Sequence, residues 1–430
     1  MEANTLEGGR PPFAQGHDPY AALRFRDFRL LLTGRLITSF GNEMLTFAIG
    51  WYLWLRTQNE LLLGLVGLVQ VVPIILLSLP AGALADRYNR KRIVMVTQTL
   101  IASGSLALGL ISLVNGPVWA MFICLFVVGV ARAFNDPASS TLLPQTVPPE
   151  VFTSAATWSS SSWQMAAIIG PAVAGLIVAL SNNVTSIYFI DAGAGMIFLA
   201  LVSMIKGRQL ALSDEPMTLH SLTEGLRFIR DTKVLMAAIT LDLFAVLFGG
   251  AVTLLPVFAT DVLKVGAGGL GLMRAAPSVG AMLTALLMAH LPPFKHAGRT
   301  LLLAVAGYGI ATIIFGMSRF FLLSLLMLFM LGALDNISVV IRSTLMLTRT
   351  PDEMRGRTSA VNGIFISSSN ELGGFESGLT GSWFGAVPAV IIGGIGTLMV
   401  VFGITRIWPE MVALRTLEPP VEPLASEIEV

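Results

Sequence analysis

Gly82-Ala83-Leu84-Ala85-Asp86-Arg87-Tyr88-Asn89-Arg90-Lys91-Arg92 carries five charges in its last seven residues and lies between two long apolar runs. The 430-residue chain around it is 54% hydrophobic and only 12% charged. Soluble domains carry about 25% charged residues. A soluble enzyme with several apolar runs of about 20 residues would expose too much apolar surface to stay dispersed. The stretch therefore reads as a short polar loop joining two membrane helices.

A hydrocarbon core about 30 Å thick needs about 20 apolar residues per helix. Twelve runs qualify, near 30–55, 62–84, 93–115, 117–143, 153–181 and 184–205, then 233–260, 267–291, 299–317, 320–347, 358–384 and 386–408. The runs are continuous, without the ten-residue alternation of barrel strands, so they are expected to be helices. Lys and Arg set the direction of insertion. Of the 27 Lys and Arg residues, 20 fall in loops on one side, from Arg10 to Arg415. Only Arg56, Lys264 and Arg319 fall opposite, and Arg35, Arg132, Arg274 and Arg342 lie within the runs. Both termini are thus expected in the cytoplasm, with the chain multi-pass in a plasma membrane of bacterial inner-membrane type.

The same composition narrows the function. A net charge of +1 offers no basis for nucleic-acid binding. Cys124 is the only cysteine and reads as a packed thiol. His17, His220, His290 and His296 lack metal-ligand spacing. No Gly-Lys-Ser/Thr phosphate loop and no nucleophile motif is present, so no metal, cofactor or enzymatic activity is expected. The first 29 residues lack the apolar core and cleavage site of a signal peptide.

The longest polar connection divides the chain into a cytoplasmic segment 1–29, a six-helix bundle 30–205, a linker 206–232, a second bundle 233–408 and a tail 409–430. In the linker Leu219, Leu222, Leu226 and Ile229 recur at helical spacing beside Glu224, Arg227 and Arg230, as in a surface amphipathic helix. It reads as a tether or a regulatory element. The halves resemble each other weakly. Pro149-Glu150-Val151 matches Pro351-Asp352-Glu353 at an offset of 202, and Gly170-Pro171-Ala172-Val173-Ala174-Gly175 matches Gly373-Gly374-Phe375-Glu376-Ser377-Gly378 after a one-residue slip. Two related halves point to a transporter with its site between them, near mid-membrane.

The opening stretch resembles the loop 2–3 motif of the major facilitator superfamily, G-x-L-a-D-r-x-G-r-k. Gly82, Leu84, Asp86, Arg87, Arg90 and Lys91 are in register, and Asn89 replaces a glycine. Asn tolerates a left-handed turn. The stretches FRDFRLLLTGRLITSFGNEMLTFAIGWYLW, ARAFNDPASSTLLPQTVPPE and TPDEMRGRTSAVNG are similar to the superfamily's twelve-span exporter branch, which includes enterobactin exporters and macrolide-type drug efflux pumps. The resemblance implies an all-α integral membrane protein of the major facilitator fold, twelve helices in two pseudo-symmetric six-helix bundles. It also implies that Asp86 belongs to a cytoplasmic latch between the halves, facing Arg355 and Arg357 ahead of span 11. Ala166-x-x-x-Gly170-Pro171-x-x-Ala174-Gly175 resembles the antiporter motif g-x-x-x-G-P-x-x-G-G, with alanine at two glycine positions. Its small residues suit close packing against a helix of the other half, and Pro171 weakens the backbone.

A secondary transporter needs a group that follows an ion gradient, and an intramembrane carboxylate serves because ionising it in a dry helix is costly. Glu43, Asp335, Glu371 and Asp136 are the proton-coupling candidates. Arg132 and Asp136, four apart, can pair directly, whereas Asp335 and Arg342, seven apart, need water or a neighbour between them. Asp191 and Asp242 lie nearer span ends, where solvated roles are expected. Substrate-cavity candidates are Arg35, Phe40, Asn42, Phe47, Arg132, Asp242 and Arg342. Arg35 and Arg274 suit either an anionic cargo or snorkelling. Trp158 and Trp163 suit an apolar cargo, whereas Trp51 and Trp54 suit the membrane interface.

The expected activity is proton-coupled export of an amphipathic small molecule by a monomer in a lipid bilayer. Import, lipid movement, or a non-transporting scaffold or sensor are the alternatives. Asp86→Asn is expected to leave topology intact and shift the inward–outward balance, read by alkylation of single cysteines on each face. An unchanged balance would remove the latch.

Overall fold

The computed structural model describes residues 18–206, 219–292 and 294–417, and all their side chains except those of Leu79, Ala83, Ala85, Asp86, Leu219, His220, Ser221, Leu222 and Ala360. Arg10, His17, Arg208 and the tail beyond 417 lie outside the described residues, as does the Asp86 side chain.

Every element among the described residues is helical. The first half comprises α1 (Arg26–Thr57), α2 (Glu60–Arg87), α3 (Arg90–Leu113), α4 (Val118–Leu142), α5 (Phe152–Ser181) and α6 (Thr185–Ser203). After α7 (Leu219–Asp231), the second half starts with α8 (Lys233–Phe248), a 3-10 turn (Ala251–Leu254), α9 (Leu255–Val257) and a π turn (Phe258–Val262). It continues through α10 (Gly266–His290), α11 (Ala297–Met317), α12 (Phe321–Arg349), α13 (Arg355–Phe384) and α14 (Ala386–Ile407), with the short α15 (Pro409–Ala413) behind. The expected seventh run is therefore broken at Gly249-Gly250. A Cβ at Gly250 would lie 2.4 Å from Gly373 O and from Ser377 Oγ, so α13 seats directly against the break.

Ten helices among the described residues are long and apolar enough to cross a membrane. Two of the twelve expected, α1 and α13, fall outside that group although they have 32 and 30 residues. The reason is polarity: α1 carries Asn42 and Glu43 mid-helix, and α13 is rich in Ser, Asn and Gly around Glu371 and Glu376. Both pack inside the bundle, α1 on α5 and α6, α13 on α2 and α8.

The internal repeat is cleaner in structure than in sequence. Helices α5 and α13 have 30 residues each and start and end 203 positions apart. The 3-10 turns before them, Pro149–Val151 and Asp352–Met354, share that offset. The true counterpart of Pro351 is thus Pro148, and the one-residue slip disappears.

Two seams join the halves, α2 against α13 and α5 against α10. Both are built on glycine. A Cβ at Gly175 of α5 would lie 2.7 Å from Ala267 O and 2.9 Å from Gly271 Cα of α10. In the other seam a Cβ at Gly378 of α13 would lie 2.7 Å from Glu60 O and from Gly64 Cα of α2. The antiporter-like motif therefore does provide a close face towards the other half, through Pro171 and Gly175. Gly170 instead faces α1, where a Cβ would meet Glu43 Cβ at 2.7 Å.

The apolar cores are asymmetric along the bundle. At the end carrying the α1–α2, α3–α4 and α5–α6 turns, one cluster joins both halves, from Phe47, Trp54 and Tyr188 to Phe258, Met273 and Phe315. Trp54 donates to Thr260 Oγ1 at 2.7 Å across the halves. At the opposite end each half keeps its own core, one around Phe28, Val94 and Leu142, the other around Leu235, Ile341 and Ile404. The halves are thus sealed at one end and separately packed at the other. Gly175→Leu must push backbone apart, so it is expected to cost about 1–3 kcal/mol and to raise labelling of a cysteine at Ala179. Unchanged labelling and an unchanged melting temperature would contradict the seam.

Candidate functional site

The expected single site between the halves is two chambers. The larger, about 390 Å³, is walled by first-half helices alone: Arg35, Asn42 and Glu43 of α1, Gln98 of α3, Trp163 of α5 and Asp191 of α6. Helix α4 adds Arg132, Asn135, Asp136 and Ser139. The smaller, about 200 Å³, lies between the halves, with Gly67 and Gln70 of α2, Arg274 of α10, and Asn370 and Glu371 of α13. Arg132 borders both.

Small residues make room for the charges. A Cβ at Gly41 would lie 2.5 Å from Asp191 Oδ1, and one at Gly67 would overlap the Glu371 carboxylate. Gly50 stands where its Cβ would be 3.4 Å from Arg274 Nη2, so Arg274 reaches α1 across the interface. Its Nε is buried without a hydrogen-bond partner. This position settles the snorkelling alternative for Arg274, which points inward.

The arginines of the larger chamber are engaged. Arg35 donates to the Ser139 carbonyl and, at 2.9 Å, to Ser139 Oγ, tying α1 to α4. Arg132 donates to Asn42 Oδ1 and, at 3.4 Å, to Gln70 Oε1. It does not pair with Asp136, contrary to the i,i+4 expectation. Helical side chains lean towards the N-terminus, so an arginine that precedes its acid points away from it. Among the described residues Glu43 and Asp136 have no hydrogen-bond or ion-pair partner, whereas Asp191 accepts from Ser105 Oγ at 2.6 Å.

Several residues lie elsewhere than sequence suggested. Asp242 and Arg342 form a buried ion pair between α8 and α12, with side chains 10% and 5% exposed, so neither faces the large chamber. Asp335 lies beside them, on a cavity of about 10 Å³ with Tyr308 and Ser338, room for one water. Asp191 and Asp242 are both buried rather than solvated. Phe47 is fully buried in the shared core, stacked on Trp51, and Trp51 and Trp54 are buried there too rather than at an interface. Phe40 backs onto Gly170 through its carbonyl. Trp158 is tied to Pro19 O at 3.0 Å. Asp191 was not a site candidate in the sequence; its lone signal is an acid in an otherwise apolar span.

In the opening stretch Asn89 is not left-handed (φ −62°, ψ 108°); its side chain caps α3 by accepting from Arg92 N–H. A capping role explains Asn where the superfamily motif has glycine. Lys91 donates at 2.7 Å to Ser203 O and Ile205 O, closing the C-terminus of α6, while Arg87 is exposed at the end of α2. A Cβ at Gly82 would meet nothing within 4 Å. Arg355 bonds Asp352 at 2.7 Å and Leu347 O, and Arg357 pairs with Glu224 of α7. Arg90 lies at the start of α3. Helix α7 packs on α13 and α8 through Gly225 and Ile229, so this described part of the linker is docked on the second half.

A helical bundle in two repeated halves, meeting at glycine seams around charged chambers, has the architecture of a membrane transporter. Residues 17–423 match the family model described as "Transmembrane secretion effector", and the chain belongs to that family of the major facilitator superfamily. It is 24% identical over 378 residues to the enterobactin exporter EntS of Shigella boydii serotype 4, covering 86% of each chain. It is 26% identical over 358 residues to the multidrug efflux pump Tap of Mycolicibacterium fortuitum, covering 80% of this chain and 86% of that protein. Macrolide efflux protein A of Streptococcus pyogenes is 28% identical over 213 residues, 49% of this chain and 53% of that protein; the chain spans about half the length of this relative. In fold it is similar to a bacterial homologue of the lysosomal transporter Spinster, with TM-score 0.71, 13% identity and coverage of 92% and 99%. The nucleoside transporter NupG gives TM-score 0.69, 13% identity and coverage of 89% and 99%. The major facilitator fold is thereby established, and the family and its relatives are transporters rather than enzymes.

Breaking the Asp242–Arg342 pair strands a buried charge. Asp242→Ala is expected to cost about 3–5 kcal/mol, read as a lower melting temperature in detergent. Asp242→Leu with Arg342→Met is expected to recover most of it.

Proposed function

We propose that this protein is a proton-coupled antiporter that exports an amphipathic small molecule across a bacterial inner membrane. The observation that carries the reading is the pairing of a sealed end with a separately packed end around a chamber holding unpartnered carboxylates. In it all twelve long helices cross the membrane as a monomer, with α1 and α13 tolerated because their polar residues face the chambers and not lipid. Both termini lie in the cytoplasm, in line with the bias of 20 in 27 basic residues. The separately packed end is then the cytoplasmic one, and the structure is an inward-facing state.

Transport is the rocking of two bundles about the glycine seams. Cargo enters from the cytoplasm and the seams open on the far side. Glu43 is the carboxyl that takes the returning proton: it sits mid-helix on α1, against the close approach of Gly170, and faces the positive charges of Arg274 and Arg132 with no direct hydrogen bond or ion pair among the described residues. Asp136, Glu371 and Asp335 are the further acids through which a proton can pass. The names of the relatives EntS, Tap and macrolide efflux protein A support the outward direction.

Inverted membrane vesicles test the reading. Cargo uptake driven by an imposed proton gradient is expected, with Glu43→Gln reducing it at least tenfold while binding persists. Uptake indifferent to the gradient would sink the coupling.

A further inference from the structure

We infer that the second half holds a site for one dehydrated alkali-metal cation, in the small cavity where α8, α11 and α12 meet beside the break in α8. The site goes beyond the antiport reading: it lies outside both chambers, and its occupant is neither the cargo nor the exchanged proton.

The cavity has about 10 Å³, the room of one water or one ion of similar size. Apolar side chains from all three helices wall it, and its polar lining is Asp242, Tyr308, Asp335 and Ser338. Asp335 and Ser338 are three apart on α12 and so share a face. Neither has a hydrogen-bond or ion-pair partner among the described residues, although Ser338 is only 3% exposed. A polar group buried without a partner costs free energy, and here two such groups flank a space that fits one shared ligand. Tyr308 gives its hydroxyl proton to Gly249 O at 3.1 Å, so it has only lone pairs left to offer any other neighbour.

Charge decides what that ligand is. The cluster contains two acids, Asp242 and Asp335, and one base, Arg342, which pairs with Asp242. Whichever acid Arg342 is assigned to, one negative charge is left over. Arg274 of α10, another long helix packed on α12, does not supply the balance, because it reaches α1 beside Gly50 and faces Glu43. The last turn of α8 ends at Phe248 and adds the negative end of a helix dipole. A water would leave the charge uncompensated, a divalent ion would overshoot it, and a monovalent cation cancels it. A proton on Asp335 would cancel it too, yet would then be shared with a facing oxygen, and Asp335 makes no such bond among the described residues. The lining offers carboxylate and hydroxyl oxygens, which hard cations take. No three His, Cys, Asp or Glu side chains gather for a transition metal among the described residues. Asp335 keeps part of its surface accessible, which gives an ion a way in. Bound there, the cation ties α11 and α12 to α8 just where α8 breaks, the place where interrupted membrane helices hold ions.

Full-length protein in detergent, at constant ionic strength, tests the site with NaCl, KCl and choline chloride. Na+ or K+ is expected to raise the melting temperature saturably over choline, and the ion that does so at the lower concentration names the occupant. Radiolabelled Na+, or Rb+ as the label for a K+ site, is expected to bind as one ion per chain. Asp335→Asn and Ser338→Ala, each checked for an unchanged elution profile, are expected to weaken that binding by about tenfold or more. Glu43→Gln, which alters the larger chamber, is expected to leave it unchanged. Identical melting in all three salts, as for a cavity that holds only water, would overturn the site. So would binding that survives both α12 substitutions, or binding lost in Glu43→Gln. Gradient-driven uptake in vesicles reads the antiport mechanism separately, so either reading can fail without the other.

Discussion

The structure depends on backbone-to-backbone approach at two seams. Gly64 and Gly378 in one, Gly175 and Gly271 in the other, sit where a single methyl group would strike main-chain atoms. In lipid, no hydrophobic drive pulls apolar helices together, so van der Waals contact at such small residues supplies much of the association. Glycine seams also give the halves a shared edge without a locked jigsaw of large side chains. The large side chains that join the halves are gathered at one end, where Phe47, Trp54 and Tyr188 meet Phe258, Met273 and Phe315.

Charge is arranged by the same logic. Where an acid and a base are meant only to hold helices together, as at Asp242 and Arg342, the two meet and are sealed from water. In the larger chamber Arg35 and Arg132 are held by amide, hydroxyl and carbonyl oxygens, and Glu43 and Asp136 have no hydrogen bond or ion pair among the described residues. The glycines at 41 and 67 leave space for Asp191 and Glu371, so small residues and buried acids belong to one design. The helices too polar to score as membrane spans, α1 and α13, are also those that carry Glu43 and Glu371.

Much of this was legible before any coordinates. Continuous apolar runs of the right length mark helices because each helix satisfies its own backbone in lipid. The run ends needed only small adjustment, since caps such as Asn59 and Asn89 sit beside them. The charged loop, the repeat and the acids inside the spans were equally visible, because charge in an apolar context is conspicuous. Partners were not visible. Arg132 looked paired with Asp136 by spacing, yet it reaches Asn42 and Gln70 on other helices. Trp54 looked interfacial, yet it closes the shared core through Thr260.

The sequence by itself determined the membrane class, the helical architecture, the two-half organisation and the identity of the acids available for chemistry. Those follow from hydropathy, period and composition, which are local properties of the chain. Only the tertiary structure decided which acids remain unpartnered, that the central space splits at Arg132, and that one end is sealed while the other holds two separate cores. These depend on the rotation and approach of helices far apart in sequence. A local pattern cannot encode them, because each is set by what the facing helix presents.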